Sequence, residues 1–91
     1  MKVEYTGQFK KDMKRLRKRS TKAYKAVQSF IDDYFVNGNG QIPVTYKPHK
    51  LSGDYKNHWE CHVESDLLLI WFDRKNSKVI IVRCGTHSDL F

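Results

Sequence analysis

The chain is short of several things at once. Its 91 residues hold two cysteines, two prolines and ten acids, and the longest apolar run is the six residues Leu67 to Phe72. Cys61 and Cys84 are too few and too far apart for a disulfide framework, and neither stands in a CxxC or Cys/His zinc spacing. Both are expected as buried thiols in a reducing compartment. An apolar run of six cannot cross a bilayer, which takes about 20 residues, and the opening MKVEYTGQF has no apolar signal core. The expected location is cytoplasmic, with no membrane partner. Internal repeats, low-complexity tracts and domain linkers are missing too. A chain of this length has room for one modest core, so residues 1–91 are expected to form a single domain.

The shortage of acid has a location. Ten Asp and Glu against seventeen Lys and Arg leave a formal charge of +7, which favours polyanionic partners. Nine of the seventeen basic residues fall between Lys10 and Lys25, where Asp12 is the only acid. Clustering of this kind points to a nucleic-acid face, with a solvated helix surface as the plainer reading.

What is present divides into a helical third and a strand-rich remainder. Lys2 to Thr6 alternates like a short strand. From Gln8 to Arg19 the apolar residues Phe9, Met13 and Leu16 form one stripe, and Thr6 is placed to cap the helix they imply. Ser20-Thr21 offers a fresh N-cap for a second helix, with Ala23, Val27, Phe30, Ile31 and Tyr34 on its apolar side. So short a turn predicts an antiparallel helical hairpin, closed by Asn37-Gly38-Asn39-Gly40. Gln41 to Pro48 reads as an extended connector or edge strand.

Three strands follow, at about Lys56–Glu64, Leu67–Asp73 and Lys78–Cys84, joined by short turns as an antiparallel meander. Alternation turns Trp59, Cys61 and Val63 to one face and His58, Glu60, His62 and Glu64 to the other. The last strand separates Ile80, Val82 and Cys84 from Val79, Ile81 and Arg83. LLLIWF, apolar on both faces, belongs at the centre of the sheet. The expected class is α+β: two N-terminal antiparallel helices on one face of a small, mostly antiparallel sheet of four to five strands, with the other face partly open.

All four histidines lie between His49 and His87. Metal-free RNA cleavage needs a base for the 2′-OH, an acid for the leaving 5′-oxygen and a cation for the charge on phosphorus. Imidazole suits the first two roles near neutrality, and guanidinium suits the third. His49, His62, His87 and Arg83, with Glu60 and Asp66 to orient an imidazole, supply that inventory. A metal site on His49, His62, His87 and Asp66 is the rival use, disfavoured by a net charge that repels cations. His58 reads as a surface or strand-edge residue, and the cysteines as inert.

The segments His49-Lys50-Leu51-Ser52-Gly53, Trp59 through Ile70 (WECHVESDLLLI) and Arg83 through Phe91 (RCGTHSDLF) resemble the YafQ branch of the RelE/ParE toxin superfamily. The opening strand and Phe-Lys-Lys-Asp helix agree, so the likeness spans the chain. It implies a RelE-like microbial RNase fold and a type II toxin that cleaves mRNA on the ribosome without metal or cofactor. Cleavage would leave a 2′,3′-cyclic phosphate, and a cognate antitoxin would silence the protein. Position by position it implies catalytic roles for His49, His62, Asp66 and His87, and a less direct one for Glu60, which replaces an Asp. Arg83 and Lys50 fall at the phosphate and Phe91 at the terminal aromatic position. Lys10, Lys11, Lys14, Arg15, Arg17, Lys18 and Arg19 would dock ribosomal RNA. His87 and His49 are expected as the acid–base pair, their order open. The competing functions are a gyrase poison of the ParE type and a plain RNA-binding module.

Overall fold

The computed structural model describes residues Met1–Phe91. Strand β1 (Lys2–Tyr5) leads into α1 (Gly7–Arg19) and α2 (Thr21–Ile31), followed by a π-turn over Asp32–Val36. The chain then gives β2 (His49–Lys50), β3 (Trp59–Glu64), β4 (Leu67–Arg74), β5 (Lys78–Gly85) and a one-turn helix, α3 (His87–Leu90). The five strands lie in the order β1-β5-β4-β3-β2. β1 runs parallel to β5 and every other pair is antiparallel, so the α+β expectation holds with one parallel edge.

Capping explains where the helices begin. Phe9 N–H donates to Thr6 Oγ1 at 3.0 Å, and Ala23 N–H donates to Ser20 Oγ at 3.1 Å. Ser20 N–H also donates to Leu16 O, so one residue closes α1 and opens α2. At the far end Gly38 has no room for a side chain, since a Cβ there would come within 2.6 Å of Tyr34 O.

The main core fills the space between the helices and one sheet face. Phe9, Leu16, Val27, Phe30, Ile31 and Phe35 meet Cys61, Leu69, Trp71, Val79, Ile81 and Cys84. Complete burial of one such aliphatic or aromatic side chain is worth about 1.5–3 kcal/mol, so removing Leu69 beyond Cβ should cost about 2–5 kcal/mol. As the LLLIWF run requires, β4 is the central strand, and Leu67 to Trp71 are all buried.

Three expectations need correction. On β5, Ile70 pairs with Arg83 but Trp71 pairs with Ile81, leaving Val82 as a bulge. The extra residue resets the alternation, so Val79, Ile81 and Cys84 share the helix-facing core, and Val82 turns to the other side. That other side is not open. Leu68, Ile70 and Leu90 form a second small core there, packed by Leu51, Tyr55 and Val82, so the loop before β3 and the tail roof it over. Finally, Gln41–Pro48 is no edge strand: it contains a 3₁₀ turn at Val44–Tyr46, and the edge is β2.

Candidate active site

β2 exists as an edge because His49 and Lys50 pair with Glu60 and Trp59 across an antiparallel ladder. Directly opposed residues lie within about 5.5 Å, which brings His49 to Glu60. His49 Nε2 is 3.3 Å from Glu60 Oε1, and its Nδ1 is 2.9 Å from Lys47 O. Glu60 is only 4% exposed, contrary to its expected place on an open face, and its Oε2 is buried with no hydrogen-bond partner in the protein. The loop and tail that roof this side of the sheet account for the difference. Lys50 lays its ammonium 5.6 Å from the centre of the Trp59 ring.

Two residues further along β3, His62 marks the second half of the site. Asp66 lies in the two-residue turn between β3 and β4, and α3 brings His87 against it. Asp66 Oδ1 accepts from His87 N–H at 3.0 Å and lies 2.6 Å from His87 Nδ1. These two contacts, the backbone one first, hold the Asp66 carboxyl below its ordinary range although the group is exposed. The His62 and His87 rings stand 5.7 Å apart at 57°, and His62 Nδ1 is 3.4 Å from Ser65 O. The histidines thus fall into two contacts, His49 with Glu60 across the edge ladder and His62 with His87 beside Asp66.

His58 stays apart. It is four residues from His62, but in extended chain that separates them by about 13 Å. It lies before β3, half-buried between Tyr55 and Phe72. Phe91 is 66% exposed, with its ring 6.1 Å from that of Tyr55.

Arg83 departs from expectation. Its guanidinium is not free on the sheet face but held by α1: Nε donates to Asp12 Oδ2 at 2.9 Å and Nη2 to Asp12 Oδ1 at 3.0 Å. Nη1 faces Tyr55 Oη at 3.4 Å. The Asp12 pairing raises the Arg83 pKa further above its already high ordinary value, against the opposing pull of burial. Arg15 and Arg19, expected among the RNA-docking residues, are also engaged internally, with Asp89 at 3.9 and 3.0 Å. Lys10, Lys11, Lys14, Arg17 and Lys18 remain exposed without an acid partner.

Sequence reasoning passed over Asp12, Tyr55 and Asp89. Asp12 left a trace: with Phe9 and Leu16 it falls at i, i+3 and i+7, so it belongs to the buried stripe rather than the charged surface. Asp89 left one too, three residues after Thr86 in the spacing of a capping box, which it forms.

The thiols behave as expected. Burial pushes Cys61 and Cys84 up to about 12, with the Glu60 and Asp12 charges adding respectively. No three His, Cys, Asp or Glu side chains converge as metal ligands. A groove of about 540 Å³ shares no residue with the histidine cluster. It runs between α1 and α2 over Phe9, Met13, Tyr24 and Ile31, rimmed by Lys10, Lys14 and Arg17.

Comparison with known proteins places this geometry in a lineage. A family model described as the bacterial toxin of type II toxin-antitoxin systems, YafQ, matches residues 1–91. The chain is 34% identical over 90 residues to the mRNA interferase toxin YafQ of Escherichia coli strain K12, covering 98% of this chain and 94% of that protein. A crystal structure of a metal-bound toxin from Helicobacter pylori superposes with TM-score 0.80 at 32% identity, covering 100% and 99% of the two chains. YafQ in the crystal structure of the E. coli DinJ-YafQ complex superposes with TM-score 0.74 at 33% identity over 98% and 96%. With the α+β architecture, the clustered histidines and a match along its whole described length, this chain belongs to the YafQ family of type II toxin–antitoxin toxins.

Proposed function

We propose that this chain, acting as one domain over residues 1–91, is an endoribonuclease that cleaves mRNA in the cytoplasm and so stops translation. The observation that carries the reading is the 2.6 Å contact between His87 Nδ1 and Asp66. With Nδ1–H given to the carboxylate, Nε2 keeps a free lone pair able to take a proton. His49 is held in the opposite sense, because both its nitrogens face acceptors, Lys47 O and Glu60 Oε1. A ring so placed is suited to hand on a proton rather than to take one.

That contrast supplies an order. His87 Nε2 removes the proton of a 2′-hydroxyl, and the 2′-oxygen attacks phosphorus. The P–O5′ bond breaks as the 5′-oxygen takes a proton from His49, leaving a 2′,3′-cyclic phosphate and a 5′-hydroxyl end. Arg83 and Lys50 offset charge on the phosphoryl oxygens, His62 supports His87, and Phe91 presents an exposed ring for a base. The scheme uses side chains alone, so cleavage is expected to survive a chelator.

Lys10, Lys11, Lys14, Arg17 and Lys18 serve to dock ribosomal RNA phosphates. A cognate antitoxin, as DinJ is for the E. coli relative, would lay an acidic, amphipathic segment along the cationic α1–α2 groove. Mapping mRNA ends after induced expression, with and without ribosomes and with EDTA, tests the reading. Ends that appear only on translated messages, resist EDTA and vanish in His87→Ala are expected. Intact mRNA in arrested cells would overturn it.

A further inference from the structure

We propose that Asp12, the one acid on the basic first helix, is a positioning residue that holds the two halves of the cleavage machinery in register. The inference rests on the reading that Arg83 and His87 act on RNA. Asp12 is 2% exposed, yet its two carboxylate oxygens accept from five donors. Two are Nε and Nη2 of Arg83, at 2.9 and 3.0 Å; this two-point grip fixes the plane of the guanidinium, not just its charge. A third is Cys84 N–H at 3.2 Å, so the same side chain also pins the backbone next to Arg83.

The fourth leads toward His87. Arg15 donates to Asp12 at 3.4 Å and lies 3.9 Å from Asp89. Arg19 closes on the same Asp89 with contacts of 3.0 and 3.1 Å. Asp89 in turn accepts from Thr86 N–H at 3.0 Å and completes the capping box of α3, the turn that carries His87. Gly85 makes this approach possible: its φ is +150°, and a Cβ there would lie 2.9 Å from Asp89. α1 therefore grips Arg83 directly and the His87 turn through two arginines. The predicted base is exposed, on a single helical turn after the last strand. The α1 network is what ties that turn to the body of the protein from the helix side.

An anchor that only stabilises the fold would change folding and leave the chemistry of the folded fraction alone. Positioning predicts a different pattern. In ribosome-dependent cleavage of a defined message, Asp12→Asn should lower kcat about tenfold to a hundredfold, the scale of an ångström displacement, with KM within about twofold. In an Arg83→Ala background the same change should cost less than about threefold, because its principal effect has already been removed. Lys18→Ala, which removes an unpaired docking charge, should instead raise KM.

Should Asp12→Asn fail to fold, Arg15→Ala serves, since Arg15 is half exposed and its loss severs the link between Asp12 and Asp89. It is expected to lower kcat in the same way, with KM again within about twofold. A readout independent of activity separates this proposal from the cleavage reading on which it rests. In either variant the His87 ring NMR resonances should shift and amide exchange over Thr86–Leu90 should quicken, while β4 is unaffected. Folded variants with wild-type kcat and unchanged His87 resonances would overturn the proposal. Shifted resonances in a protein that cleaves no RNA would uphold the coupling and sink the cleavage reading instead.

Discussion

The site contains two histidine–carboxylate pairs, one on glutamate and one on aspartate, in opposite settings. Glu60 is buried beneath the edge strand and meets a half-exposed His49 at 3.3 Å. Asp66 stands in solvent on a hairpin turn and meets an exposed His87 at 2.6 Å. Burial leaves the first carboxylate's second oxygen without a protein partner, so its cost falls on stability. Exposure makes the second cheap, and its value is orientation. Two carboxylates, each facing a histidine, can therefore carry different burdens, one thermodynamic and one geometric, within the same few strands.

The largest effect should come from removing the exposed imidazole. His87→Ala is expected to lower cleavage about 10²–10⁴-fold and relieve growth arrest, the usual weight of a general base. A fully toxic variant would break the comparison. Asp66→Asn should cost about a hundredfold in cleavage, because an amide no longer selects the Nδ1–H tautomer, while stability hardly moves at this exposed position. Glu60→Gln should show the reverse balance. Cleavage should fall about tenfold, through loss of the charge facing His49. Denaturant unfolding should show a change of about 1 kcal/mol, because the substitution falls on a buried, partly unpartnered side chain. Equal stability changes for the two acids would erase the distinction.

Acid titration sharpens it further. The Asp66 carboxyl is depressed by its His87 contacts, so the folded state binds its proton more weakly than the unfolded chain does. The contact is present above the unfolded value and is lost as pH falls through the lower folded one. The carboxyl resonance of Asp66 should accordingly titrate with a midpoint below the ordinary aspartate range. The smallest effect belongs to the opposite face of the sheet. Cys61 and Cys84, pushed up to about 12, should resist iodoacetamide at neutral pH in the folded protein and react only on unfolding.

Much of this arrangement is legible in the chain because it follows periodicity. The Phe9-Met13-Leu16 stripe, the Thr6 and Ser20 caps and the all-apolar LLLIWF run each state a local preference that the fold obeys. What could not be read is non-local. A bulge at Val82 leaves no mark on a period-two pattern, yet it exchanges the faces of Val79, Ile81 and Val82. The Asp12–Arg83 pair joins residues 71 apart, and no local signal on either names the other. Glu60 reads as exposed from its strand alone because its roof, Leu51, Tyr55 and Leu90, comes from a loop and a tail. Of the docking residues, Arg15 and Arg19 read like their neighbours and differ only in having Asp89 within reach.

Thr6 has a consequence for the order of assembly. Its hydroxyl caps α1 through Phe9 N–H and donates to Val82 O, 76 residues further on, beside the parallel β1–β5 ladder. The first strand and first helix thus have no finished edge until the last strand arrives. Closing a loop of that span before any contact rewards it slows folding relative to a helical bundle of the same size. The contacts of His87 inherit this timing: it follows β5 in the chain, so it can meet Asp66 and His62 only once that strand is laid down, and this half of the site should form in a late step.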